Sequence, residues 1–236
     1  MDALALTVIA RYHSDFPTKF GVPRQSGIVP EQRGYVVFEP AYRDRNALRG
    51  IDGYSHLWLL WGFSMTRRQE AFAPTVKPPR LGGNTRMGVF ATRSPNRPNP
   101  IGLSSVRFLG TEDRSADGTV LLVSGADLAD GTPIYDIKPY LAFTDSHPDA
   151  AGGFADEQFG ERLRVVCPDA LLSRIPAEKR EALIASLRQD PRPAYQHDPD
   201  LPYGFPYAGF EIRFFVRGDE LTVADVVPAD GAEHVK

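Results

Sequence analysis

Three stretches of the chain set charged and polar side chains beside Gly or Pro at the ends of apolar runs. The first is residues 22–27, VPRQSG, with Pro23, Arg24 and Gln25. The second is residues 88–104, GVFATRSPNRPNPIGLS, with Arg93, Arg97 and Leu103. The third is residues 127–141, DLADGTPIYDIKPYL. Within it Asp136, Lys138 and Tyr140 fall two apart, so on a strand they share one face. Pro139 favours an extended Lys138, which supports that geometry. A carboxylate, an ammonium and a phenol on one face suit proton acceptance, anion holding and alignment of a base. The same spacing suits a structural Asp136–Lys138 ion pair beside a packed tyrosine, and the residues alone leave both readings open.

Charge is informative only locally. The whole chain carries a formal −3, which does not announce a nucleic-acid partner. Residues 67–107 hold eight Lys or Arg against one acid, Glu70, a local balance of +7. Much of this segment is proline-stiffened loop carrying Arg80, Arg86 and Arg97. A stiff backbone loses less entropy when its arginines grip an anion, and the guanidinium fork matches phosphate or carboxylate. An RNA backbone is the best candidate partner. A basic solvated face paired with acids elsewhere is the alternative.

Other chemistries lack their residues. No G-x-G-x-x-G follows a strand and no G-x-x-x-x-G-K-[ST] occurs, which argues against a Rossmann or P-loop nucleotide site. The five histidines are scattered, with no i, i+4 pair and no Cys partner, so no metal is expected. No G-x-S-x-G supports a serine nucleophile. The lone Cys167 cannot form an intrachain disulfide and fits a reducing compartment. The apolar run at residues 3–10 has no basic residue before it and no cleavage site close behind, so it reads as a strand and not a signal peptide. No run approaches the roughly 18 apolar residues of a membrane span. A soluble cytoplasmic protein with no membrane partner is the expectation. Arg217-Gly218-Asp219 reads as hairpin-turn chemistry rather than an adhesion motif.

The elements that must position these residues are mostly short strands. The chain has 236 residues with 21 Gly and 21 Pro, which points to many turns and away from a helical bundle. Apolar and β-branched runs predict strands at residues 4–12, 34–39, 53–63, 87–93, 102–111, 119–124 and 133–140. Asp44 caps a short helical turn, and residues 113–118 form a hairpin loop. Strands without long helices between them suggest a barrel or closed sheet. A linker is expected near residues 145–156. Beyond it come a strand at 161–166, a helix opening at Pro176 with Leu183, Ile184 and Leu187 on one face, a proline-rich loop at 190–208, and a hairpin turning at Gly218-Asp219. The expected fold is mainly β: a barrel over residues 1–150 and a small α+β domain over 151–236.

The same stretches closely resemble the TrmO family, also called TsaA-like or YaeB-like. The resemblance rests on GVFATRSPNRPNPIGLS and DLADGTPIYDIKPYL, with support from PRQSG, GYSHLWLL, KPPRLGGN and DPRPAY at residues 190–195. It covers nearly the whole chain. It implies a TsaA-like β-barrel that binds S-adenosyl-L-methionine without a Rossmann fold, a small C-terminal domain, and a homodimer with the cofactor near the subunit interface. It implies methylation of N6 of threonylcarbamoyladenosine next to the anticodon of tRNA. Pro23, Arg24 and Gln25 match a cofactor-contacting segment. Arg93 and Leu103 match positions lining the same pocket, and Asp130, Gly131, Thr132 and Pro133 match a loop around the ligand. Ser64 and Met65 stand where some relatives carry His-Gln. On this reading Asp136 is the candidate base, Lys138 or Arg93 holds the threonyl carboxylate, and Tyr140 meets the base. A reading from another class is a non-catalytic regulatory barrel that binds the same cofactor or RNA.

Overall fold

The structure is a computed structural model that describes residues 5–66, 71–78, 81, 85–158, 163–192 and 198–229. Six strands form a closed antiparallel barrel: β1 (Ala10–His13), β2 (Arg33–Phe38), β3 (His56–Gly62), β6 (Ile101–Arg114), β7 (Gly118–Ser124) and β8 (Thr132–Pro139). Their order around the barrel is β1-β2-β7-β6-β3-β8, and β8 pairs back onto β1. Alternation drives the closure. Along β6, Gly102, Ser104, Val106 and Phe108 point in, while Ile101, Leu103 and Arg107 point out. The interior is filled by Tyr12, Val36, Leu57, Leu59, Trp61, Val106, Leu121, Val123 and Ile134. Gly102 is required where it stands, because a Cβ there would lie 2.2 Å from the Trp61 ring.

Two strand predictions are corrected in the first half of the chain. Among the described residues of the run at 4–12, strand begins at Ala10. The run at 87–93 pairs for two residues, β5 (Met87–Gly88) against β4 (Thr75–Val76), and then turns. The turn forms because both the amide and the hydroxyl of Thr92 donate to the Val89 carbonyl, leaving no ladder to extend. His56 lies on the outer face of the barrel, bonded to Ser55 and beside Tyr140, so it is not a core histidine.

One β-bulge decides what β8 presents. Leu60 pairs with Asp136 and Trp61 with Ile134, so Tyr135 is the extra residue. Ile134 points into the core. Strict alternation would then aim Asp136 inward as well, and the bulge turns it out. Beyond the bulge, Ile137 packs toward the core opposite Leu59, while Asp136 and Lys138 face outward.

The short helix α1 (Ala142–Asp145) follows β8. A second sheet has the order β10-β11-β12-β9, built from β9 (Arg164–Val166), β10 (Tyr203–Tyr207), β11 (Phe210–Arg217) and β12 (Glu220–Pro228). The helices α2 (Asp169–Leu172) and α3 (Ala177–Arg188) accompany it. In α3, Leu183 and Leu187 are buried and Ile184 is partly so. The proline-rich stretch at 190–208 contains β10, which sequence alone reads as loop. Pro206 is tolerated because β10 is an edge strand, where a missing N–H breaks no central ladder. Phe16, from the loop between β1 and β2, joins this second core, with its ring 5.0 Å from Tyr207 and 6.2 Å from Phe205.

Candidate functional site

Up-and-down strands carry alternate loops to the same rim. The loop from β1 to β2 holds Pro23, Arg24 and Gln25. Ser64 and Met65 follow β3, Arg93 precedes β6, Leu103 opens β6, and Asp130 to Pro133 join β7 to β8. All of these lie at one end of the barrel. The sequence spreads them over more than one hundred residues, and the strand order gathers them.

Hydrogen bonds join the β1–β2 loop, Arg93, β6 and the β7–β8 loop. Arg93 Nη1 donates to Gln25 Oε1 at 2.5 Å, and Gln25 Nε2 donates to the Arg24 carbonyl at 2.6 Å. Asp127 accepts from Ser104 Oγ at 2.5 Å, and Ser104 in turn accepts from Trp61 Nε1 at 2.9 Å. The Ser26 backbone also bonds the Asp127 carboxylate, and the Arg93 charge acts on it. Protein crowds Asp127 nearly all round, and this desolvation pushes its carboxyl above the usual range against the opposing hydrogen bonds and the Arg93 charge. Gly27 N–H to the Gly125 carbonyl at 2.8 Å ties the same loop to the end of β7. Asp127, Ser104 and Trp61 are the residues that sequence reasoning misses. Ser104 and Trp61 read as strand residues, and only Asp127, the single acid opening the third stretch, carries a signal.

The loop from β7 to β8 is braced by its own polar groups. Asp130 Oδ1 accepts from Ser14 N–H and lies 3.1 Å from His13 Nδ1. Gly131 N–H donates to the Tyr12 carbonyl at 2.8 Å. Thr132 is buried and donates its hydroxyl to the Ala129 carbonyl at 2.7 Å. Pro133 sits opposite Arg11 in the β1–β8 ladder.

The remaining candidates are placed differently. Lys138 Nζ lies 2.7 Å from Asp136 Oδ2, so the pair does share a face. Leu60 is opposite both Asp136 and Leu103, which sets Asp136 two strand spacings, about 10 Å, from Leu103. Tyr140 is farther from the rim: its N–H bonds the His56 carbonyl at the start of β3, and its ring lies 5.4 Å from Trp58. Trp58 Nε1 donates to Asp145 at 2.8 Å, and Phe143 between them in sequence is 88% exposed. Arg97 donates to the Thr92 carbonyl and Arg86 to Thr75 Oγ1, so each also braces its own loop. Arg80 lies outside the described residues, as do parts of the KPPRLGGN and DPRPAY motifs. Ser64 and Met65 are both exposed. Among the described residues, no group of three or more His, Cys, Asp or Glu stands ready to hold a metal ion. No helix among them is long and apolar enough to cross a membrane.

The rim sets apolar and charged surface side by side. Leu103 is 55% exposed and Met65 39%, apolar surface that an adenine or a thioether chain would cover. The Arg93 guanidinium and the Asp127 carboxylate supply opposite charges suited to an amino-acid end.

A closed six-stranded barrel that gathers charged loop residues at one rim, with no Rossmann element among the described residues, defines a class of protein that presents its loops on a rigid β scaffold. The chain belongs to the tRNA-methyltransferase O family: the family's N-terminal domain matches residues 11–146 and its C-terminal domain residues 159–229. A tRNA (adenine(37)-N6)-methyltransferase of Escherichia coli strain K12 is 38% identical over 231 residues, covering 90% of this chain and 97% of that one. A putative S-adenosylmethionine-dependent methyltransferase of Pseudomonas aeruginosa is 37% identical over 235 residues, covering 96% and 99%. A crystal structure of TrmO from P. aeruginosa superposes with a TM-score of 0.76 at 32% identity, over 97% of this chain and 99% of that one.

Proposed function

We propose that this chain transfers the methyl group of S-adenosylmethionine to N6 of adenine 37 in tRNA, and that the adenine it selects already bears a threonylcarbamoyl group. The observation that carries the reading is the convergence of five separated segments on one barrel rim, four of them joined in pairs by the Gln25–Arg93 and Asp127–Ser104 contacts. The relative from E. coli, named for methylation at that adenine, supports the tRNA substrate.

Bound at the rim, S-adenosylmethionine would supply a methyl group activated by its sulfonium. The protein's task is alignment and exclusion of water. Pro23 to Gln25, Arg93, Leu103 and the loop Asp130 to Pro133 hold the cofactor. Arg93 or Lys138 holds the threonyl carboxylate, which selects modified tRNA. N6 of threonylcarbamoyladenosine lies between a purine and a ureido carbonyl, so its proton is acidic enough for a modest base. Asp136 is that base, turned outward by the bulge and beside Lys138. Tyr140, with Trp58 and His56, offers an aromatic wall on which a neighbouring nucleotide stacks. Arg86, Arg97 and Arg80 contribute positive charge for the phosphate backbone. A second copy covers the exposed Phe72 and Phe90, making the active form a homodimer that sedimentation would reveal.

The experiment is incubation with methyl-labelled cofactor and tRNA with or without the threonylcarbamoyl group. Label confined to the modified tRNA is expected. Label on neither would leave a binding protein. With Asp136→Asn, turnover should fall at least about 100-fold with cofactor affinity unchanged; full turnover would remove Asp136 from the role.

A further inference from the structure

Arg24 belongs to the proposed cofactor segment, yet its guanidinium also reaches the C-terminal domain. Its Nη2 donates to the carbonyls of Asp190, at 3.3 Å, and Arg192, at 3.0 Å, both in the turn that follows α3. That turn is itself tightly built. Arg192 Nε and Nη2 grip the Asp190 carboxylate at 2.8 and 2.9 Å, a two-point fork. The pair is shielded, with side chains 9% and 20% exposed. Asp190 holds a left-handed backbone, φ 55°, a conformation rare for a residue other than glycine.

The contact is one of several along the same loop. Phe16 and Val22 pack into the second core, and Gly21 lies so close to Phe205 that a Cβ would sit 2.4 Å from its ring. Ala208 N–H bonds the Asp15 carbonyl at 2.9 Å. Past Arg24 the loop turns to the barrel, through Gln25 to Arg93 and through Ser26 to Asp127.

We infer that Asp190 and Arg192 are positioning residues for the cofactor segment: their fork holds two carbonyls in place for Arg24, and so sets Gln25 for Arg93. The C-terminal domain thereby acts on the cofactor site from behind. This rests on the cofactor reading above.

The test uses the full chain carrying Asp190→Asn or Arg192→Lys, with Arg217→Ala as control. Among the described residues, Arg217 pairs with the exposed Asp200 and makes no bond to the loop or the rim. Three quantities are read: affinity for S-adenosylhomocysteine by calorimetry, KM and kcat with modified tRNA, and amide exchange over residues 22–27 without ligand. Each fork variant should weaken product affinity about ten-fold, a change of about 1.4 kcal/mol. KM for the cofactor should rise by the same factor, with kcat and KM for tRNA unchanged and exchange in the loop faster. Arg217→Ala should match the wild type. Folded fork variants with wild-type product affinity would overturn the inference, as would a loss confined to kcat. Failure of both variants to fold would also overturn it, because the pair would then support the domain and not the loop. Wild-type protein that bound no product would instead sink the cofactor reading itself, an outcome visible before any variant is made.

Discussion

The barrel rim and the C-terminal core handle their polar groups in opposite ways. In the C-terminal core Tyr207 donates its hydroxyl to the Lys179 carbonyl and Tyr203 to the Asp198 carbonyl, so the aromatic payload there is satisfied. In the barrel the fully buried Tyr12 hydroxyl has no partner, and burial, with the charges of Asp15, Asp127 and Asp130, pushes its pKa far up. Asp127 is crowded beside the same rim with its carboxyl also raised. The Tyr12 hydroxyl and the Asp127 carboxyl are two costs to the fold that lie beside the candidate site. The domain that carries no cofactor candidate is packed for stability and reaches back through Phe16 and the Arg24 contacts to hold the loop.

This contrast can be broken most sharply at Arg93. Arg93→Ala removes the partner of Gln25 and the positive charge acting on Asp127. Affinity for S-adenosylhomocysteine should fall about 100-fold, or about 2.7 kcal/mol, with the unfolding midpoint little changed. Calorimetry and urea unfolding on one preparation would check both. Phe205→Ala is the converse case. It opens a cavity among Phe16, Phe214 and the Gly21 backbone, and should cost about 3–5 kcal/mol in unfolding free energy. A loss below about 1 kcal/mol would mean that core is not where stability resides.

Asp127→Asn sharpens the comparison at one residue. A carboxyl raised in the folded state costs stability once pH exceeds its unfolded value, and the cost grows until pH passes the folded value. The amide keeps an acceptor for Ser104 and removes the charge. The variant should therefore melt at the wild-type temperature or slightly higher at neutral pH, while product affinity falls several-fold. Thermal scans paired with calorimetry decide it; a lower melting temperature would make Asp127 a stabilising group.

The smallest effect is at Asp190. Burial alone would raise its carboxyl, but the Arg192 fork and charge, with Arg24, hold it below the usual range. A depressed value contributes stability in full above the unfolded pKa of 3.8 and loses it as pH falls through the folded value. The stability gap between wild type and Asp190→Asn should be constant near neutrality and close below pH 3.8. A gap that persisted at low pH would point to backbone strain rather than charge.

Much of this was present in the sequence, and the reasons differ by element. The strands of the barrel are apolar and alternating, α3 opens after a proline, and the turn at Gly218 carries a left-handed glycine, φ 62°. These signals are local, so residue order carries them. The long motifs made the family resemblance readable for the same reason, since they are contiguous. The edge strand β10 was hidden because the proline-rich stretch around it reads as loop, and only its place beside β11 lets Pro206 stay. The Trp61–Ser104–Asp127 relay was hidden because its members come from three elements.

By itself the amino-acid order determined which side chains are available and which short runs become strands, because propensity and alternation act over a few neighbouring residues. The tertiary structure alone decided that Asp136 faces outward, since the bulge at Tyr135 depends on the register with β3. It alone decided that Arg24 turns to the C-terminal domain, since the carbonyls it meets lie more than 160 residues away along the chain.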